Sequence, residues 1–331
     1  MCCSYAKYGA FLAIFAAVAG GVYVMEQRAV VEAAGTQAPR FEVDPMWPKP
    51  LPNHWVIGAT IGVAVDAKDN VWIIHRNGSL EEKEHYATWT PKASECCAPA
   101  PPVLAFNPAG DLIASWGGND GAGYEWPSSN HGIDVDHKGN VWIGGNGRGK
   151  LPAALAHDES KMAAAGAVHD SMLLKFTQSG KFLMAIGKPF ASKGSNDVDN
   201  LRLPAKSIVD PKTNEAYIAD GYGNARILEY DAQGKRLHQF GTPGEGPGQL
   251  HLPHGIAIDK NQVLYVADRE NGRIQRFTRE GKYLSEINGL GKTFSLTIQN
   301  DALYIGSQPR NEPNGAGAGE AETWRSGLPL L

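Results

Sequence analysis

The chain has 331 residues, 42% of them hydrophobic and 20% charged, with 39 Gly, 21 Pro and a formal charge of −4. That length admits two ordinary domains or one large all-β domain, and the glycine and proline content suits many turns rather than a helical bundle. The mildly acidic balance offers no general basic field for a polyanion, so nucleic acid is not an expected partner.

At the N-terminus, Lys7 precedes an apolar run from Tyr8 to Met25, and the sequence then turns small and polar through EQRAVVEAAGTQAPR. A positive residue, an apolar stretch and small residues beyond it are the layout of an export signal. The same run, at roughly 18 apolar residues, is long enough to span a bilayer, and no clean A-x-A site follows it. A short buried helix is the alternative, but the run has no amphipathic period. Residues 1–39 are therefore expected to be a signal peptide or N-terminal membrane anchor plus linker. The rest is expected to be periplasmic or extracellular, touching a membrane only through that segment. Cys2 and Cys3 belong to this leader. Cys96 and Cys97 are neighbours, not a C-x-x-C metal motif; in an oxidising compartment they form a vicinal disulfide or stay reduced and buried.

From residue 61 one pattern recurs five times: IGVAVDAKDNVWII from Ile61, HGIDVDHKGNVWIG from His131, AKSIVDPKTNEAYIAD from Ala205, HGIAIDKNQVLYVAD from His254 and FSLTIQNDALYIGS from Phe294. Each is a period-2 run, a polar turn and a second period-2 run, the signature of a β-hairpin. A further pair of strand-like runs follows most of them, as in ARILEYDAQGKRLHQFG and GRIQRFTREGKYLSEI. Four short antiparallel strands per repeat predict an all-β protein, a β-propeller of four-stranded blades; the competing architecture is a β-sandwich. Inserts at about 79–102 and 146–170 interrupt the first two units, and Leu151 to Ala165 fits a short helix. The turn DRENGR, 268–273, follows a strand and carries charges that either pin the hairpin or act directly in chemistry.

The first strand of each blade lines the channel of a propeller, which places Ile61, His131, Ala205, His254 and Phe294 in one register. His131 and His254, each followed by Gly, therefore point towards one axis from alternate blades. Three imidazoles with an open position is how a catalytic zinc is held; a histidine that merely hydrogen-bonds a neighbouring carbonyl is the plainer reading.

IIHR at 73–76, NHGIDVD at 130–136, ADGYGNARI at 219–227 and LPHGIAID with VADRENGRIQRF at 252–277 resemble the NHL-repeat, six-bladed propeller of peptidyl-α-hydroxyglycine α-amidating lyase (peptidylamidoglycolate lyase). The likeness runs from about residue 55 to 305. It implies that His131 and His254 are two of three zinc-binding histidines, Arg76 an active-site arginine and Tyr222 an active-site tyrosine. It also implies a structural calcium in the channel, held largely by backbone oxygens. The implied reaction splits a small or peptidyl N-acyl-α-hydroxyglycine into an amide and glyoxylate. The plainer readings are that Arg76 is a surface strand residue and Tyr222 packs at a turn.

After LYIGSQP the pattern stops. A propeller over 40–310 with an incomplete or atypical last blade is expected, then an irregular tail at 311–331. The third histidine is not visible, and His54, His75, His137 and His169 are out of register. Either the ring is closed otherwise, with RFEVDPM at 40–46 as one strand, or the chain is a truncated copy. Two other functions fit the same fold. One is a non-catalytic NHL propeller that binds a peptide or protein. The other is a lactonase-like calcium hydrolase, which wants acidic and Asn ligands where His, Ile, Ala and Phe stand.

Overall fold

A computed structural model of the chain describes residues 41–149, 168–194 and 197–308, and the backbone of 321–325. The leader at 1–39 and the helix expected over 151–165 lie outside the described residues. Blade 1 is built from Ala59–Val65, Val71–Arg76, Val103–Phe106 and Leu112–Trp116; blade 2 from Asn130–Val135, Val141–Gly145, Met172–Phe176 and Phe182–Gly187. Blade 3 comprises Lys206–Val209, Ala216–Asp220, Arg226–Tyr230 and Arg236–Phe240; blade 4 comprises Pro253–Ile258, Leu264–Asp268, Arg273–Phe277 and Tyr283–Ile287. A three-stranded sheet, Lys292–Gln299, Ala302–Gln308 and Ala321–Arg325, follows as blade 5. All these pairings are antiparallel and run in chain order, and the first strands of successive blades pack on one another. The protein is an all-β propeller of antiparallel four-stranded blades.

The turn that closes each inner hairpin shows why the repeat reads as it does. Asp66 accepts hydrogen bonds from the backbone N–H groups of Lys68 and Asn70, from the Asn70 amide and from the Trp72 indole. Asp136 does the same with Lys138, Asn140 and Trp142. An aspartate that caps its own turn favours a tight reversal. The backbone crosses into positive φ at Asp69, Gly139, Asn214 and Gln262, four equivalent positions. Burial pushes the Asp136 carboxyl up, but hydrogen bonds from Trp142, Asn140 and the turn backbone outweigh it and hold it below the usual range.

The core is a series of layers between blades rather than one centre. Trp72, Ile74, Val103 and Ala105 of blade 1 meet Ile133, Val141 and Ile143 of blade 2, and similar layers follow to blade 5. Each fully buried side chain of this size contributes about 1.5–3 kcal/mol. Leu104 and Phe106 alternate with Val103 and Ala105 and face the other way, where Trp47, Leu51 and Trp55 cover them. That cover corrects one expectation: Phe41 to Met46 forms no strand, and it is the segment just after it that packs on blade 1.

The first insert contains two short 3-10 turns, Asn77–Ser79 and Glu82–Thr88, and a two-residue strand, Ala98–Pro99, paired in parallel with Trp55–Val56. Cys96 and Cys97 are joined as a vicinal disulfide, with Cys96 exposed rather than buried. Where an irregular tail is expected, Ala321–Arg325 instead pairs with Ala302–Gly306; the open edge of a neighbouring strand supplies the template that local sequence lacks. No helix among the described residues is long and apolar enough to cross a membrane.

Candidate functional site

Four of the five inner strands carry a β-bulge at one level: between Thr60 and Gly62, Asn130 and Ile133, Pro253 and Ile256, and Thr293 and Ser295. Ile61, His131, His254 and Phe294, the residues of the predicted register, sit in those bulges. A bulge leaves its extra residue out of the ladder and re-aims its side chain. The glycine after each histidine has a steric reason. A Cβ on Gly132 would lie 2.6 Å from the Ala205 carbonyl oxygen, and one on Gly255 would lie 3.2 Å from the Phe294 oxygen. Only a glycine lets the next blade's backbone come so close.

Those same two oxygens fix the imidazoles. His131 Nδ1–H donates to Ala205 O at 2.8 Å, and His254 Nδ1–H donates to Phe294 O at 2.5 Å. A carbonyl only accepts, so Nδ1 carries the proton and Nε2 is left with a lone pair. Both Nε2 atoms lie 3.0 Å from the Tyr222 hydroxyl, and the two imidazole rings are 4.9 Å apart between centroids. Burial drives the His131 pKa down to about 4, with Arg76, Arg269 and Lys206 adding to the shift. Burial first and His131 second bring His254 to about 3. Both rings are therefore neutral near pH 7. The plainer reading, a bond to a neighbouring carbonyl, holds for both rings, and that bond turns each Nε2 towards the centre.

Tyr222 is delivered by a turn built around a buried acid. Asp220, fully buried, accepts from Arg202 N–H, Asn224 and Arg226, and Arg226 also reaches the carbonyls of Asp197 and Asn200. A Cβ on Gly221 would come within 1.8 Å of Pro253 O, and one on Gly223 within 2.2 Å of Arg202, so the residues either side of Tyr222 have no room for a side chain. In blade 4 Asp268 repeats the device with His251 N–H, Asn271 and Arg273. In blade 2 the strand position holds Gly145, and Asp170, arriving after the insert, places its carboxylate there and accepts from Ser128 N–H. In blade 1 His75 accepts from Gly58 N–H and donates to Pro101 O. Ser128, Arg202 and His251 each precede the register residue by three, so a buried acid in each of these blades anchors the chain entering the channel.

Arg76 donates through Nε to Asn130 O at 3.0 Å and through its terminal nitrogen to the Asn146 side chain at 2.8 Å. Arg269 stacks its guanidinium 4.5 Å from the Phe294 ring centroid and 5.8 Å from that of Tyr222. Burial raises the Tyr222 pKa, while Arg269, Asn146 and Arg76 pull it down. The four sequence-predicted residues thus gather at one point, and Arg269 and Asn146 join them unforeseen. The signal was present: Arg76, Asn146 and Arg269 stand at the same place in blades 1, 2 and 4, one residue beyond the anchoring position. Of the other histidines, His75 uses both ring nitrogens, His169 bonds Asp170 and faces Glu125, and His54 and His137 are exposed.

The proton count at the centre bears on zinc. Two imidazole lone pairs converge on a phenol that has one proton, so one of the two 3.0 Å contacts sets lone pair against lone pair. A cation between them relieves that conflict, and imidazoles oriented by backbone carbonyls are what zinc sites use. The donors fit zinc through two ligands; among the described residues no group of three or more His, Cys, Asp or Glu could hold a metal.

The NHL repeat family profile matches residues 250–277, a span that includes both His254 and Arg269. The fold is a β-propeller, and its fourth blade carries the stretch that matches the NHL repeat. Among known proteins, the chain is similar to mouse (Mus musculus) peptidyl-glycine alpha-amidating monooxygenase, 28% identical over 239 residues, which is 70% of this chain and 22% of that one. It is similar to peptidyl-alpha-hydroxyglycine alpha-amidating lyase 2 of Drosophila melanogaster, 33% identical over 166 residues, covering 50% of this chain and 33% of the other. Mouse NHL repeat-containing protein 3 is 26% identical over 263 residues, covering 74% and 59%. The chain thus spans under two thirds of the length of each of these relatives.

Proposed function

We propose that the protein is an exported lyase that splits an N-acyl-α-hydroxyglycine into the amide and glyoxylate. The observation that carries this reading is the Tyr222 hydroxyl lying 3.0 Å from Nε2 of both His131 and His254, with Arg76 and Arg269 beside it. The reaction breaks the bond between the amide nitrogen and the hydroxylated carbon. The α-hydroxyl loses its proton as its C–O becomes C=O, and the amide nitrogen gains one. As the tyrosinate that Arg269 and Arg76 favour against burial, Tyr222 would accept that proton at its phenol oxygen as a general base and then pass it to the amide nitrogen as an acid. Arg76 and Arg269 would bind the carboxylate of the hydroxyglycine, as guanidinium groups do in charge-assisted pairs. His131 and His254 would hold the zinc, which when bound lowers the pKa of an oxygen at the site. The apolar run from Tyr8 to Met25 behind Lys7 supports export.

The test is glyoxylate release from a synthetic N-acyl-α-hydroxyglycine, with elemental analysis of the same preparation. Tyr222→Phe should lower the rate by about 10²–10⁴-fold, and His254→Ala should remove both activity and zinc. Release no faster from the native protein than from His254→Ala would end the proposal. The likeness to NHL repeat-containing protein 3 over 74% of the chain is the ground for a second reading, a non-catalytic propeller, for which a peptide or protein is the bound partner expected from sequence. Binding that survives both metal stripping and replacement of both histidines would favour it.

A further inference from the structure

The residue after each register position is Gly62, Gly132, Gly255 or Ser295 in four of the blades and Lys206 in blade 3. Among the described residues Lys206 stands alone at that level. Its side chain is 25% exposed, and its ammonium donates to Ile133 O at 2.5 Å and lies 3.9 Å from the Asp134 carboxylate. The acceptor is an unusual one. Asp136 N–H bonds Asn140 O across the first hairpin of blade 2, and Ile133 faces Ile143 in the same ladder. Bonded and unbonded pairs alternate in an antiparallel ladder, so the Ile133 carbonyl lies on the free inner edge of the blade. A carbonyl there needs a donor from elsewhere, and Lys206 provides it.

We infer that Lys206 is a built-in cation of the channel, engaging a backbone oxygen and a carboxylate of the kind that the calcium implied by the resemblance would need, and that the propeller neither binds nor needs calcium. Calcium asks for six to eight oxygen ligands. The carbonyl and carboxylate that begin such a set here are already engaged by an ammonium, whose charge repels a divalent ion. Burial pushes the Asp134 carboxyl up to about 6, against the pull of Lys206. The donor set does not fit calcium while Lys206 is there.

The experiment uses the full chain and reads melting, so it is independent of glyoxylate release. Wild-type melting curves in calcium chloride and in EGTA should superimpose, and titration with calcium chloride should give no binding heat. Lys206→Met should melt lower in EGTA by about 5 °C and regain much of that in calcium, because Ile133 O and Asp134 are freed. Lys212→Met, at an exposed lysine that also donates to a backbone carbonyl, should melt with the wild type in both. A calcium response in the wild type would overturn the inference, as would a Lys206→Met protein that melts unchanged. A variant left low and unresponsive to calcium would reduce Lys206 to a plain hydrogen-bond donor and also overturn it. Should the variant fail to fold in either medium, the wild-type calcium titration decides alone.

Discussion

Arg269 and Arg273 stand in one six-residue turn and do opposite work. Arg273 is buried and donates to Asp268 at 2.8 Å, to Glu286 at 2.9 Å and to the carbonyls of Gly246 and Gln249 at 3.0 Å. Arg269 leaves the same strand end one residue later, pairs with Glu270 at 3.3 Å and lays its guanidinium over Phe294 beside Tyr222. Side chains alternate faces along a strand. Asp268 pairs across the hairpin with Arg273, so the turn closes on itself there and its other face is given to the channel. Register, not residue type, divides support from site.

The sharpest way to break this contrast is at Arg273. Removing its charge in Arg273→Met leaves the fully buried Asp268 unpaired, and loss of one partner of such a pair costs about 3–5 kcal/mol. Urea unfolding should show that loss, and Arg273→Lys should recover little of it, because an ammonium cannot reach four separate acceptors. Arg269→Met should be the mirror image. Its urea midpoint should stay near the wild type, while kcat/KM for glyoxylate release falls by about 10- to 100-fold. A stability loss at Arg269 as large as that at Arg273 would erase the distinction between the two faces.

The smallest effect concerns the turns far from the channel. Asp136 has a folded pKa held below 3.8 by its hydrogen bonds despite burial. A depressed carboxyl contributes stability in full above its unfolded pKa and loses it as pH falls through the folded value. Asp136→Asn should therefore cost about 1 kcal/mol at pH 7, and the gap to the wild type should close as the pH is taken below 3.8. A gap of constant size across that range would show that the carboxylate charge plays no part.

Much of this was legible because it is local. The Asp-x-Lys-x-Asn turns, the alternating strands and the glycine after each histidine are set by residues within one hairpin or by one neighbouring backbone. The vicinal cysteines were readable only as alternatives. Arg269 was hidden by its own turn, whose other charges do pin the hairpin as DRENGR suggested. Asp170 was harder still: it occupies a strand position left empty by Gly145, from beyond an insert, and no spacing rule reaches across such a gap.

From sequence alone came the propeller and the shared register of His131 and His254, because period-2 patterns and turn chemistry act over a few residues, while Tyr222 and Arg76 came from the family resemblance. Folding of the whole ring decided that a phenol 91 residues from one imidazole and 32 from the other meets both at 3.0 Å. It also decided that Lys206 caps a carbonyl 73 residues away. Such meetings depend on how closely consecutive blades approach, a distance set by packing between sheets and by backbone contacts that leave no periodic trace in the chain.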